Sequence, residues 1–203
     1  MVELVRHPNW LAETIATLPG CYLEGNFKLS SGNYDVNYID LWVPLSIKTV
    51  VQKIAREIAY VTADLTYTAV GGPELASLPI ADAMLHVLNE PKQVFLVRKR
   101  RKGYGTNKLV EGAPLDLSKD KALMVEDVVS TGASVSHAIR AILELGVEVA
   151  GVVSVVERGG EGAREKIRKE YGLELRSLTT LEEIREARRW ILWLRSTSMS
   201  YLG

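Results

Sequence analysis

Two adjacent carboxylates, Glu126 and Asp127, close an apolar run, Leu123-Met124-Val125, and lead through Val128-Val129 into Ser130-Thr131-Gly132-Ala133-Ser134. A strand ending in acids, then a loop of small hydroxyl residues and glycine, then a helix, is an arrangement with a definite chemistry. Backbone N–H groups, hydroxyls and the positive end of a helix dipole suit a phosphate. Carboxylates beside that phosphate would repel it, so they must serve another part of the ligand. The vicinal hydroxyls of a sugar are donors that ionised carboxylates accept well. The segment therefore reads as a cradle for a sugar phosphate. The plainer alternative is a βα turn with an acidic strand end and a Ser/Thr cap. Two acids together with hydroxyl–hydroxyl–Gly–small–hydroxyl argue against it. Other phosphate motifs fit worse: there is no G-x-x-x-x-G-K-[ST], and Gly103-Tyr104-Gly105 has Lys108 where a dinucleotide fingerprint needs its third glycine.

A second cluster is basic, Arg98-Lys99-Arg100-Arg101-Lys102, running into Gly103-Tyr104-Gly105. By itself it suits a solvated surface, an RNA-binding patch or a lid over a diphosphate. Arg158 alone would be a surface charge, and Lys28 an exposed strand residue. His7, His86 and His137 are scattered along the chain, and the single Cys21 excludes an intramolecular disulfide and a Cys-based zinc site. Basic and acidic residues balance at 25 each, which weighs against a protein that coats nucleic acid or an acidic membrane. No run approaches the ~20 apolar residues of a membrane span. The start, MVELVRHPNW, lacks the apolar core of a signal peptide, so a cytoplasmic location is expected.

The elements that must position these residues follow from periodicity. Leu11, Ile15 and Leu18 predict a short helix stopped by Pro19-Gly20. Phe27 to Leu41, interrupted by Ser31-Gly32-Asn33, reads as two strands joined by a turn. From Ser46 onward, helices and short apolar strands alternate. A helix carries Val50, Ile54 and Ile58, and the apolar run Tyr67 to Val70 is followed by a Gly-Gly-Pro turn. A helix over Ile80 to Leu88 precedes a strand at Val94 to Val97, then a loop of about 20 residues, long for a compact domain. Next come a strand at Ala122 to Val125, a helix from Val135 ending at Gly146, and a strand at Val152 to Val156. Leu173 to Leu175 begins another strand, and Thr180 and Glu183 have capping-box spacing before a last helix. The alternation predicts an α/β fold with a mostly parallel sheet flanked by helices and ligands at the carboxyl ends of the strands. The length, 203 residues, suits a single domain, 1–203, with a small N-terminal hood formed by about residues 1–45.

The segment from Leu123 to Ser134 resembles the 5-phosphoribosyl diphosphate (PRPP) signature of type I phosphoribosyltransferases. Four more segments resemble the orotate phosphoribosyltransferases, in that family's order: Phe27-Lys28-Leu29-Ser30-Ser31-Gly32 with Tyr38-Ile39-Asp40; Gly71 to Ala81; Val97 to Gly105 with Val110-Glu111-Gly112; and Val156-Glu157-Arg158-Gly159-Gly160. The resemblance covers roughly residues 25–160. It implies that Glu126 and Asp127 hold the ribose hydroxyls and that Ser130, Thr131, Gly132, Ala133 and Ser134 bind the 5-phosphate. It assigns Pro73, Glu74, Leu75 and Ala76 to the diphosphate loop, and Arg98, Lys99 and Lys102 to a catalytic lid. Lys28, Tyr38, Ile39, Ser130 and Arg158 fall on the orotate side.

The same resemblance implies Mg²⁺ held mainly by diphosphate oxygens, and a homodimer whose lid completes the neighbour's site. The implied substrates are orotate and PRPP, with no nucleic-acid or membrane partner. Three positions depart from the family pattern: Ser30 and Ala76, where some members carry lysine, and Tyr104, where histidine is frequent. A purine phosphoribosyltransferase would share the PRPP segment but lack the Phe27 hood and the Arg158 placement. A non-catalytic PRPP-sensing regulator is the alternative from another class.

Overall fold

A computed structural model describes residues 9–28, 34–89, 91–101, 105 and 107–199. The chain forms two compact units, one made of Met1–Pro44 with Thr179–Gly203 and the other of Leu45–Leu178.

In the first unit, helix α1 (Trp10–Thr17) buries Leu11, Ala12, Ile15 and Ala16, the face that its periodicity predicts, and Asn9 caps it by accepting from the Leu11 N–H. Strands β1 (Tyr22–Lys28) and β2 (Tyr34–Ile39) form the expected antiparallel pair. Along β2, Asn37 and Ile39 are buried while Tyr34, Val36 and Tyr38 are exposed, the period-2 pattern of a two-faced ribbon. Helix α7 (Leu181–Met199) packs on α1. Its start is a complete capping box: Glu183 Oε2 accepts from the Thr180 N–H at 2.9 Å, and the Glu183 N–H donates to Thr180 Oγ1 at 3.2 Å.

The second unit follows the short helix α2 (Trp42–Leu45), which straddles the boundary, and holds most of a six-stranded sheet. Its elements are α3 (Lys48–Val61), β3 (Ala69–Pro73), α4 (Ser77–Val87), β4 (Gln93–Val97), β5 (Val110–Gly112), β6 (Lys121–Val129), α5 (Ala133–Glu144), β7 (Glu148–Glu157), α6 (Glu161–Tyr171) and β8 (Leu175–Thr180). The strand order is β5-β4-β3-β6-β7-β8, with β4, β3, β6 and β7 parallel and β5 antiparallel to β4. Ala122 and Met124 of β6 join Val135, Ala138, Ile139 and Ile142 of α5 and Ala163 and Ile167 of α6 in one core cluster. Fully burying an aliphatic side chain of this size contributes roughly 1.5–3 kcal/mol.

Gly71 and Gly72 lie inside β3 rather than in the turn that Gly-Gly-Pro predicts. A Cβ on Gly71 would stand 2.0 Å from the Phe95 carbonyl oxygen, and one on Gly72 would stand 2.0 Å from that of Val125. The glycines are there because the central strand approaches both neighbours too closely for a side chain.

Candidate functional site

From β3 the chain passes to β4 on one side and later to β6 on the other, so the strand order reverses between β3 and β6. In open parallel sheets ligands sit at this switch point, outside the carboxyl ends of the strands. Four segments of the second unit emerge there: Pro73-Glu74 after β3, Arg98-Lys99 after β4, the cradle at the end of β6, and Arg158 after β7.

Both acids belong to β6, which runs on to Val129 instead of stopping at Val125. Pairing with β7 (Glu126↔Ser154, Val128↔Val156, Val129↔Glu157) extends the strand. The two carboxyl groups stay close: their side chains share a hydrogen bond, and the Asp127 N–H donates to Glu126 Oε1 at 3.4 Å. Glu126 is 7% exposed, whereas Asp127 is half-buried. Burial, reinforced by the adjacent Asp127 carboxylate, pushes the Glu126 carboxyl well above its ordinary range, and the Lys99 ammonium pulls the other way. Past Val129, Ser130 is half-buried and Thr131, Ala133 and Ser134 are exposed. Gly132, the N-cap of α5, is in the left-handed conformation (φ 72°) and has no side chain to cap the helix, while Thr131 Oγ1 accepts from the Ala133 N–H at 3.4 Å. Backbone N–H groups and hydroxyls therefore ring an accessible helix start, which suits an anion.

The other segments are stitched to one another. The Glu74 N–H donates to the Val97 carbonyl at 2.8 Å, and Glu74 Oε1 accepts from the Lys99 N–H at 3.0 Å. The Arg98 N–H donates to the Leu109 carbonyl at 2.9 Å. The Arg98 carbonyl meets His137 Nε2 of α5 at 2.9 Å, and its guanidinium lies 3.8 Å from the Glu111 carboxylate across the base of the loop. Arg98 to Arg101 thus leave β4 at the root of a β4–β5 hairpin that is fastened to the diphosphate-loop candidate. Pro73 and Ala76 are buried and Leu75 is exposed. Lys102 and Tyr104 lie outside the described residues, as do Ser30 to Asn33.

On the far side, the Arg158 and Gly159 N–H groups both donate to the Val129 carbonyl, at 2.8 and 3.3 Å. The base of Arg158 is thereby fixed beside Ser130. Three contributors had no local signal in the sequence: Glu157 is buried and bound by Arg164 and Ser177, while His137 and Glu111 brace the hairpin root. Each contact joins residues distant in the chain. In the first unit, Lys28 ends β1 and is exposed, Tyr38 is exposed and stacks near Phe27 with ring centroids 5.6 Å apart, and Ile39 is buried.

A family model described as the phosphoribosyl transferase domain matches residues 45–183. An orotate phosphoribosyltransferase of Pyrococcus abyssi is 40% identical over 173 residues, spanning 83% of this chain and 90% of that protein. One from Mycobacterium leprae is 38% identical over 184 residues, spanning 91% and 98%. The crystal structure of Mycobacterium tuberculosis orotate phosphoribosyltransferase in complex with PRPP superposes with a TM-score of 0.70 at 34% identity, covering 87% of this chain and 97% of that one. The switch-point cradle and these similarities together show that the chain belongs to the phosphoribosyltransferase family, among its orotate phosphoribosyltransferases.

Proposed function

We infer that the protein transfers the 5-phosphoribosyl group from PRPP to orotate, giving orotidine 5′-monophosphate and diphosphate in pyrimidine nucleotide synthesis. A ring nitrogen of orotate bonds to C1 of the ribose and gives up its proton, which leaves with the diphosphate or to water, and the C1–oxygen bond to diphosphate breaks with its electron pair leaving on the diphosphate. The observation that carries this reading is the pairing, at one switch point, of an acid-then-hydroxyl cradle with a basic hairpin rooted on the diphosphate-loop candidate through Lys99 and Glu74.

In this reading Glu126 and Asp127 accept from the ribose hydroxyls, and their negative field favours the oxocarbenium-like charge that develops on the sugar. Ser130 to Ser134 hold the 5-phosphate. Pro73 to Ala76 face the diphosphate, which Arg98, Lys99 and Lys102 neutralise as the hairpin tip covers it and excludes water. Lys28, Tyr38, Ile39, Ser130 and Arg158 recognise orotate, with Arg158 on its carboxylate. The half-buried Asp127 fits a metal ion held mostly by ligand oxygens and water, as Mg²⁺ prefers. When bound, Mg²⁺ supplies charge neutralisation on the diphosphate. We propose further that both units act as one transferase domain, that a second copy completes the site as a homodimer, and that the protein works in the cytoplasm. Among the described residues, no helix is long and apolar enough to cross a membrane.

The test is diphosphate release from PRPP and Mg²⁺ with orotate, adenine or hypoxanthine as acceptor. Turnover with orotate is expected. Turnover with a purine alone would replace this reading with a purine transferase, and none with any base would favour a PRPP-binding regulator.

A further inference from the structure

Glu157, the last residue of β7, is 3% exposed, and a carboxylate so buried is tolerated only when it is paired and hydrogen-bonded. Arg164 of α6 meets it with a two-point fork: Nε donates to Oε1 at 2.9 Å, and Nη2 donates to Oε2. Ser177 Oγ of β8 donates to the same Oε2 at 3.0 Å. The Arg164 guanidinium makes two further bonds, Nη1 donating to the Leu175 carbonyl at 3.0 Å and Nη2 to Ser177 Oγ at 2.8 Å. One side chain thus ties α6, the end of β7 and β8 into a single joint, in the fork geometry that only arginine supplies.

The joint sits one residue before Arg158. The Arg158 N–H is meanwhile held on Val129, directly before the phosphate cradle. The backbone at Arg158 is therefore held from two sides, by this clamp on the preceding residue and by the Val129 carbonyl.

We propose that Arg164, through Glu157 and Ser177, is a positioning residue for recognition of the acceptor's carboxylate by Arg158. The proposal rests on the reading of Arg158 given above. A small misplacement of a positioned group costs up to about 100-fold in rate or affinity, so the effect falls on the KM for orotate.

The experiment compares steady-state kinetics of Arg164→Met, Arg164→Lys, Arg158→Ala and Arg176→Met, each with a thermal unfolding curve. Arg176→Met is the structural control. Arg176 also ties β8 elsewhere, to the Val61 carbonyl at 2.7 Å and to Asp64, without touching Glu157. Arg164→Met is expected to raise the KM for orotate about tenfold or more, with the KM for PRPP and kcat much less affected. Arg164→Lys, which keeps the charge but loses the fork, should fall between Arg164→Met and the parent. Arg176→Met should lower the thermal midpoint and leave the KM for orotate alone. Adding Arg164→Met to Arg158→Ala should raise that KM no further, because the clamp acts through Arg158.

If Arg164→Met does not fold, Arg164→Lys decides the matter. A folded Arg164→Lys enzyme with the parental KM for orotate overturns the proposal, as does an Arg164 variant whose kinetics match those of Arg176→Met. An unchanged KM for orotate in Arg158→Ala would instead refute the role given to Arg158, a failure of the parent reading that this variant alone reports.

Discussion

Gly159 stands so close to Ser130 that a Cβ at position 159 would lie 1.6 Å from the Ser130 carbonyl oxygen. The loop after β7 and the candidate phosphate cradle after β6 are in backbone contact and cannot move independently. Gly159→Ala must push them apart. Such overpacking typically costs about 1–3 kcal/mol, and the KM for PRPP is expected to rise about tenfold or more as the cradle is displaced. Thermal unfolding and PRPP-dependent kinetics check both. An alanine variant with parental affinity for PRPP would show that the cradle does not depend on this contact.

Glu74 presents a carboxylate oxygen to the Lys99 N–H, joining the diphosphate-loop candidate to the first turn of the basic hairpin. Glu74→Gln keeps an acceptor oxygen at that place, whereas Glu74→Ala removes it. A hydrogen bond of this kind contributes roughly 0.5–1.5 kcal/mol, so the alanine variant should lose about two- to tenfold in kcat/KM for PRPP. The glutamine variant should recover most of that. Equal losses in both would mean that the charge of Glu74, not its hold on Lys99, matters.

For Glu126, burial and then the Asp127 carboxylate raise the folded pKa, while the unfolded group titrates near the ordinary glutamate value of about 4.5. Between those two values the folded state binds the extra proton, so stability falls as pH rises from about 4.5 through the folded pKa. Glu126→Gln cannot ionise and should escape this loss. Its thermal midpoint is expected to exceed the parent's at pH 8, with the gap narrowing as the pH falls, while its KM for PRPP rises. Each kcal/mol corresponds to about 2–4 °C in a chain of this size. Parallel midpoint-against-pH curves for variant and parent would contradict a buried acid at this position.

Cys21 is buried, and burial, aided by the Asp40 carboxylate, pushes its thiol up to about 12. The thiolate is the reactive form, so an alkylating reagent at pH 8 should leave the folded protein unmodified and label it fully in denaturant. Rapid labelling of folded protein would place the thiol at an accessible surface.

Much of the frame was legible because it rests on local signals. The α1 face, the Thr180–Glu183 capping box and the stop of α5 at Gly146 all follow from spacing within one or two turns. Longer-range decisions were not legible. The β6 strand outruns its apolar segment because β7 supplies partners for Glu126 to Val129. Gly-Gly-Pro is strand, not turn, because of two neighbouring carbonyls remote in sequence. β5 is too short to show a period, and α6 is highly charged around a buried face of only Ala163 and Ile167. In the candidate site, residue types pointed to the proposed cradle, the basic run and Arg158, whose segments emerge at one end of the sheet. The supports, Glu157 with Arg164 and Ser177 and Arg98 with His137, depend on which side chains the fold brings together.

The first unit joins the two ends of the chain: α1, β1 and β2 share it with α7, and Arg188 of α7 reaches both the Ala16 carbonyl and the Glu24 carboxylate. A nascent chain leaving the ribosome therefore makes the early half of this unit long before the helix that completes it. Leu11 and Ile15 must wait, without α7, through synthesis of the whole central sheet. Packing of α1 against α7 consequently comes after every strand of the central sheet has been made. A message truncated before codon 181 would yield a chain that retains β6 and α5, with the proposed PRPP cradle between them, while lacking the helix that packs on α1.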